Sequence, residues 1–272
     1  MKYLITGSRG FIGSNLKAKL ENDHSILTID ENIFQDLNWK ITLLNHLDTY
    51  KPDAIFHIGA CSNTLETNVQ YIMVVNFEFT KVLTDWCSIN HCPIIYSSSA
   101  ANYGSDGNHP TNLYAWSKYT AEGYVNSNQG ISLRYFNVYG FGEHNKGKMA
   151  SVIYQALVHQ IKTKDKFKLF PNKPLRDFVY IEDVIDANLY ALDHYKDLFG
   201  KTYDVGFGVA EPFEKILDLV GIDYDYYGVS EIPQGYQFYT CSDKTKWMKG
   251  WNPKYNLSLG INDYRKKMHR YD

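Results

Sequence analysis

The sequence predicts an α/β protein: a doubly wound parallel sheet with a smaller mixed α/β lobe after it. Three observations predict it. Short apolar runs alternate with helical patterns through the first half of the chain. The first run enters a turn with glycines at positions 7, 10 and 13, and a helical pattern follows at once. An acid, Asp30, ends the next apolar run.

The strands are expected at 3–6, 26–29, 54–58, 94–97 and 132–136. The clearest helical pattern covers 69–89, with Ile72, Val75, Phe79, Val82, Leu83 and Trp86 on one face; Pro93 stops it. The second half is more mixed. A helix is expected at 149–161, short strands at 168–170 and 178–181, a helix at 184–194 and a strand at 202–205. No repeat, low-complexity segment or clean linker interrupts the 272 residues. The expected division is a dinucleotide-binding domain over 1–140 and a substrate lobe over 141–272, interleaved with the first. The connections at 31–35 and 105–111 are short, so the fold is a pared-down one.

The glycine turn has a mechanical reading. Gly7 allows a tight turn, Gly10 lets the backbone approach a pyrophosphate, and Gly13 lets the helix pack closely on the strand. The first turn of that helix offers unpaired N–H groups and the positive end of the helix dipole. Asp30 stands where a carboxylate can accept hydrogen bonds from an adenosine ribose. This is the fingerprint of a Rossmann-type site for NAD or NADP; the alternative is a tight turn with packing glycines. The neighbouring acids Asp30 and Glu31 favour NAD, because a 2′-phosphate there meets two negative charges. Arg9 can offset them, so NADP stays open.

Composition excludes several classes. The formal charge is −2 with no face-wide basic excess, which argues against nucleic acid as a partner. The densest basic stretch, 162–168, reads as a solvated helix end and loop. No apolar run reaches membrane-spanning length, and the chain starts directly with a strand, so neither a membrane span nor a secretory signal is expected. The cysteines Cys61, Cys87, Cys92 and Cys241 form no CxxC pair and read as reduced thiols in a cytoplasmic protein. The histidines show no HxxxH or HExxH spacing, so no metal site is expected.

Tyr114 and Lys118 lie four residues apart, on one face of an expected helix. They follow a strand that runs into a serine-rich turn, Ser97-Ser98-Ser99, at its carboxyl end, where open parallel sheets bind ligands. A phenol is a poor base at neutral pH, and a nearby ammonium favours its ionised form. Ser99 can hydrogen-bond the reacting oxygen, and Lys118 can also hold a nicotinamide ribose.

With these come Phe56-His57-Ile58-Gly59-Ala60, Arg134-Tyr135-Phe136-Asn137-Val138-Tyr139-Gly140 and Arg176-Asp177-Phe178-Val179-Tyr180-Ile181-Glu182-Asp183-Val184. In this order, over almost the whole chain, they resemble the landmarks of the extended short-chain dehydrogenase/reductases that act on nucleotide sugars. Three stretches are most similar to the ADP-glycero-manno-heptose 6-epimerase branch. They are His57 to Thr64, Glu143 to Val152 with its Lys-Gly-x-Met-Ala-Ser, and Gln234-Gly235-Tyr236-Gln237. The resemblance implies redox-neutral epimerisation of a nucleotide-diphospho-sugar through a keto intermediate, at heptose C6 in the first instance. It implies catalysis by Ser99, Tyr114 and Lys118, with Lys146 as a second acid/base opposite Tyr114. A lid-loop cation or a surface lysine is the alternative for Lys146. It implies cofactor contacts from Gly7, Arg9, Gly10, Phe11, Ile12, Gly13, Asp30, Asp36, Leu37, Ile58, Gly59, Ala60, Asn76, Phe136 and Val138. It implies substrate contacts from Ser62, Asn137, Lys146, Lys148, Arg176 and Tyr236, with an ion pair to Asp177 or Asp183 as the alternative for Arg176. Lys148 departs from the small or hydroxylic residue expected at its place.

Other functions stay open. A 4-epimerase or a reductase fits the same constellation. A 4,6-dehydratase is disfavoured, because Ala100, Ala101 and Asn102 stand where that branch resembles Thr-Asp-Glu. A non-catalytic dinucleotide sensor or scaffold is the reading from another class. By analogy, helices near 69–89 and 115–127 can pair two copies in a homodimer, and a higher homo-oligomer is also open.

Overall fold

The computed structural model describes residues 1–105, 107, 109–228 and 237–268, without the side chain of Lys148. Its strands are β1 (Lys2–Thr6), β2 (Ser25–Ile29), β3 (Ala54–His57), β4 (Ile94–Ser99), β5 (Ile131–Tyr135), β6 (Asn137–Tyr139), β7 (Phe167–Leu169), β8 (Leu175–Tyr180), β9 (Thr202–Val205), β10 (Ala210–Pro212) and β11 (Tyr224–Tyr226). The main sheet is six-stranded and parallel, in the order β2-β1-β3-β4-β5-β9. The order reverses at β1, so the loops after β1 and β3 leave the sheet side by side. In open α/β sheets that switch point is where ligands bind.

Both faces of the sheet are buried, which explains the near-continuous apolar runs. Ile5, Phe56, Ile95 and Leu133 pack on one face; Leu4, Ile55, Ile94 and Tyr96 pack on the other. Helix α1 (Phe11–Leu20) covers the first face. Helix α2 (Trp39–Tyr50) covers the second, where it meets the long helical segment that starts at Asn68. That segment is one amphipathic run in the sequence but three pieces in space: α3 (Val69–Met73), a turn of π-helix (Val74–Glu78), and α4 (Phe79–Asn90). His91 closes it in the left-handed region (φ 52°), two residues before Pro93. Helix α5 (Leu113–Ser127) packs on α4 and on β4.

Past residue 140, helix α6 (Val152–Lys162) begins at Ser151, whose hydroxyl accepts from the Tyr154 N–H. The stretch before it, Glu143–Met149, is 3-10 turn broken at Gly147 (φ 53°) rather than the start of the expected α-helix. Helix α7 (Ile181–Asp193) starts three residues earlier than expected and carries Glu182 and Asp183 in its first turn, where the dipole favours acids. It packs against α1 on the first face of the main sheet. The chain continues through α8 (Tyr195–Leu198), then β9, which adds the sixth strand to the main sheet. Helices α9 (Phe213–Val220) and α10 (Leu257–Met268), the sheet β10-β8-β6 and the pair β11-β7 make up the rest. Asp177, fully buried in β8, ties that strand to two later segments of the chain. It accepts from the N–H groups of Phe207, Gly208 and Ser242 and from the Ser242 hydroxyl.

Two glycines in helices carry opposite expectations. A Cβ on Gly13 would lie 2.1 Å from the Gly7 carbonyl oxygen, and backbone cannot yield. A Cβ on Gly123, exposed in α5, meets nothing within 4 Å. In urea unfolding, Gly13→Ala should lose about 3 kcal/mol or fail to fold. Gly123→Ala should gain about 0.5–1 kcal/mol.

Candidate active site

The site is built at the carboxyl ends of β1, β3, β4 and β5. After β1 the chain turns at Gly7, whose φ is +69°, and the Gly7 N–H donates to the Ile29 carbonyl at 3.0 Å. The turn presses against the next loop: a Cβ on Gly7 would stand 2.5 Å from the Gly59 Cα. Gly10 begins α1 with no side-chain cap and no acid in the first turn. This leaves the N–H groups at the positive helix end facing the turn, an arrangement that fits a pyrophosphate. At the end of β2, Asp30 accepts from the Ser8 hydroxyl (2.9 Å) and the Arg9 N–H (3.3 Å). The Arg9 guanidinium lies among Asp30 (3.5 Å), Glu31 (3.4 Å) and Asn32 (3.3 Å). These residues border a cavity of about 420 Å³ that also takes in Ile33, Asp36 and His46. The residues present therefore fit the adenosine half of a dinucleotide. Asp36 accepts from the Thr42 hydroxyl (2.5 Å) and the Asn38 N–H (2.8 Å), which hold its carboxyl below the usual range. Leu37 next to it is fully exposed.

On the catalytic side, Asn112 caps α5 by accepting from the Ala115 N–H at 2.8 Å. Tyr114 and Lys118 then stand one turn apart, and the Ser99 side chain at the end of β4 hydrogen-bonds Tyr114. Burial raises the Tyr114 hydroxyl above its ordinary pKa; Ser99 opposes the shift and the Cys61 thiol adds to it. This differs from the expectation that Lys118 lowers Tyr114. The reason is that Lys118 is itself 2% exposed, and burial pushes its ammonium down to about 7 despite the Glu122 carboxylate. Its Nζ sits 4.2 Å from the centre of the Tyr96 ring. Glu122, one turn further along α5, is held by Arg134 through two bonds (2.9 and 2.6 Å) and accepts from Ser98 and Asn102. Glu122 carries no sequence expectation, and Cys61 is expected only as a reduced thiol, not as a neighbour of Tyr114. The signal for Glu122 was available, since Tyr114, Lys118 and Glu122 recur every fourth residue on one helix face.

Lys146 lies on the turn Glu143–Met149, which packs over the start of α1; its Nζ is 5.5 Å from the Phe11 ring centre. Burial lowers its pKa and Glu143 opposes the shift. Glu143 is fully buried and closes this loop at both ends, accepting from the Gly140 N–H (3.2 Å), the Ser151 N–H (2.7 Å) and the Ser151 hydroxyl (2.9 Å). Phe11 is buried in the core, while Ile12 is half-buried. Ile58, Gly59 and Ala60 line the rim after β3, and Phe136 is buried beside the half-exposed Asn137 and Val138. Asn137 accepts from the Thr240 hydroxyl at 3.2 Å, and Ser62 is exposed. Asn76 is buried, its amide committed to the Cys61 backbone and the Ser117 hydroxyl. Arg176 is buried in β8 and donates to the carbonyls of Leu175 and Gln237. Asp183 accepts from the N–H groups of Lys254 and Tyr255. Tyr236 and the Lys148 side chain lie outside the described residues. Among the described residues no cluster of His, Cys, Asp and Glu is arranged to hold a metal, and no helix is long and apolar enough to cross a membrane.

A model of the NAD dependent epimerase/dehydratase family matches residues 3–206. The chain belongs to that family. It is 33% identical to ADP-L-glycero-D-manno-heptose-6-epimerase of Brachyspira hyodysenteriae, over 96% of each chain. The crystal structure of the Helicobacter pylori ADP-L-glycero-D-manno-heptose-6-epimerase superposes with a TM-score of 0.83 at 29% identity, covering 98% of this chain and 96% of that one. UDP-glucose 4-epimerase of Thermotoga maritima, solved with UDP-glucose, shares the fold with a TM-score of 0.85 at 22% identity, over 100% and 99% of the two chains. In this member of the epimerase/dehydratase family the glycine turn follows β1, and Ser99 with Tyr114 and Lys118 stands at the carboxyl end of β4 in the same sheet.

The buried Lys118 sets a pH dependence of stability. Its pKa is about 7 folded against 10.5 unfolded, so between those values the unfolded chain binds the extra proton. Stability from this group therefore rises with pH across that window, and the penalty is full below about 7. In urea unfolding of the cofactor-free protein, Lys118→Met should be more stable than wild type at about pH 6.5. The difference should shrink towards pH 10.

Proposed function

We propose that the protein epimerises a nucleotide-diphospho-sugar, with an ADP-heptose at C6 as substrate. The observation that carries the reading is a pair of proton-handling groups on separate elements: Tyr114 on α5, and Lys146 on the loop above α1, with its ammonium weakened by burial. Two such groups suit epimerisation at a carbinol carbon, because each can serve the oxygen in one of the two places it occupies. A nicotinamide dinucleotide held by the glycine turn and Asp30 would supply reversible hydride acceptance, with no net oxidation. Tyr114, hydrogen-bonded by Ser99, takes the hydroxyl proton in one orientation of the sugar. Lys146 supplies the proton to the oxygen in the other. Lys118 holds the ribose beside Tyr114. Arg176 and Tyr236 serve the substrate diphosphate from the second lobe, with Ser62, Asn137 and Lys148 as further sugar or phosphate contacts. The exposed rings of Trp116 and Tyr119 on α5 support pairing of two copies.

Epimer composition by NMR, after incubation with ADP-, GDP-, UDP- and dTDP-sugars, tests the reading. Conversion of a UDP-hexose at C4 would favour a 4-epimerase, stoichiometric use of reduced cofactor a reductase, and binding without conversion a sensor. With the correct sugar, Tyr114→Phe should cut turnover at least about a hundredfold and leave cofactor affinity within about twofold. Lys146→Met should retain hydride exchange from one epimer and not release the other. Equal epimerisation by Lys146→Met and wild type would reduce Lys146 to a phosphate contact.

The cofactor is proposed to be NAD. Arg9 is engaged with Asp30, Glu31 and Asn32, so a 2′-phosphate must displace it from two carboxylates. Titration of both cofactors should show NAD bound at least about tenfold more tightly. Tighter binding of NADP would sink this assignment.

A further inference from the structure

His57 closes β3 with its side chain fully buried, and each hydrogen bond around it has a forced direction. The Thr80 hydroxyl donates its one proton to the Asn76 carbonyl at 2.8 Å. It can therefore only accept from His57 Nε2, 2.8 Å away, so Nε2 carries the ring proton. Burial keeps His57 well below its ordinary pKa, and the Lys118 charge adds to this, so the ring is neutral and Nδ1 accepts. Nδ1 faces the Thr6 hydroxyl at 2.7 Å, which must then donate to it. The same Thr6 oxygen accepts from the Gly59 N–H at 2.9 Å. On the far side, the Asn76 side chain donates to the Ser117 hydroxyl (2.9 Å), and Ser117 donates to the Tyr114 carbonyl (2.7 Å). Asn76 also clasps the Cys61 backbone by its N–H (2.7 Å) and its carbonyl (3.0 Å).

The links form one chain that runs from the loop beside the glycine turn to the helix bearing Tyr114 and Lys118. Each hydroxyl in it has a single proton, already spent, so no link can reverse alone. The π turn at Val74–Glu78 contains Asn76, so the chain crosses the helical segment where its spacing departs from the α-helical repeat. The titratable groups facing His57 are Lys118 and Tyr96, the latter with ring centres 5.4 Å apart.

We infer that His57 is a positioning residue: with Thr6, Thr80 and Asn76 it fixes the Gly59 loop, and a dinucleotide held there, relative to Tyr114. The inference rests on the epimerase reading for its kinetic consequence, though not for the direction of the chain. Misplacement of reacting groups by about 1 Å can cost about a hundredfold in rate.

Two variants at Thr80 separate this role from packing. Thr80→Val keeps the shape and loses the hydroxyl; Thr80→Ser keeps the hydroxyl and loses the methyl. Thr80→Val should lower kcat about ten- to a hundredfold with the nucleotide-sugar KM within about twofold, and Thr80→Ser should restore kcat. The reverse ranking, or no loss in Thr80→Val, overturns the inference. Should Thr80→Val not fold, Ser117→Ala, a small truncation at a buried position of α5, breaks the last link and is expected to give the same kcat loss; wild-type kcat there overturns it too. Independently of any sugar, ¹⁵N NMR of histidine-labelled protein with NAD should show His57 protonated at Nε2 and unchanged across neutral pH. A proton on Nδ1, or titration near the ordinary histidine value, overturns the chain. A wild type that converts no nucleotide sugar would instead remove the epimerase reading and leave the NMR result standing.

Discussion

The structure depends on one close approach, the contact of backbone on backbone where the loops after β1 and β3 cross. Gly7 and Gly59 touch with no room for a Cβ on either, and Gly13 packs as tightly against the Gly7 carbonyl. That contact sets how far β1 and β3 project before their loops begin. It thereby aims the start of α1 and the Gly59 loop at the same space. Asp30 on one flank and Ser99 on the other bind at distances set by the sheet, because β2 and β4 pair in register with these two strands. The buried chain through Thr6 and His57 begins at this crossing, so α5 inherits its position from the same contact.

Burial governs the electrostatics of the site more than pairing does. Lys118 and Lys146 both face a carboxylate, Glu122 and Glu143, and both still lose affinity for their protons. The carboxylates are engaged elsewhere, Glu122 with Arg134 and Glu143 with the backbone of its own loop. Each lysine is thus near a negative charge that is already shared. A surface lysine with an exposed partner, such as Lys81 beside Asp85, shifts the opposite way.

Much of this was legible in the sequence, and the boundary of legibility has a physical cause. The glycine turn, the β-α alternation and the Tyr114–Lys118 spacing are local patterns, and the parallel sheet with its strands lies where they point. What depended on burial was not legible. The raised pKa of Tyr114 follows from desolvation, which only the folded chain imposes. The first half of β8 was missed because Arg176 and Asp177 look like surface residues, yet both are buried with partners from distant segments. The π turn is silent in the sequence, since its apolar spacing still suits a continuous helix. The bonds by which the Asn76 amide joins the Cys61 loop to α5 are equally silent in the sequence, because their partners are distant along the chain.

The clasp at Glu143 has a consequence for how this fold can change. One carboxylate binds both Gly140 and Ser151, so the residues between them form a hoop closed at its own base. The strand before the hoop is held by its pairing with β8 and the helix after it by packing on α9, so neither takes its position from what the hoop contains. A change of side chain at 144–149 therefore leaves the base of the hoop, Glu143 with Gly140 and Ser151, as it is, and is felt where the turn meets α1.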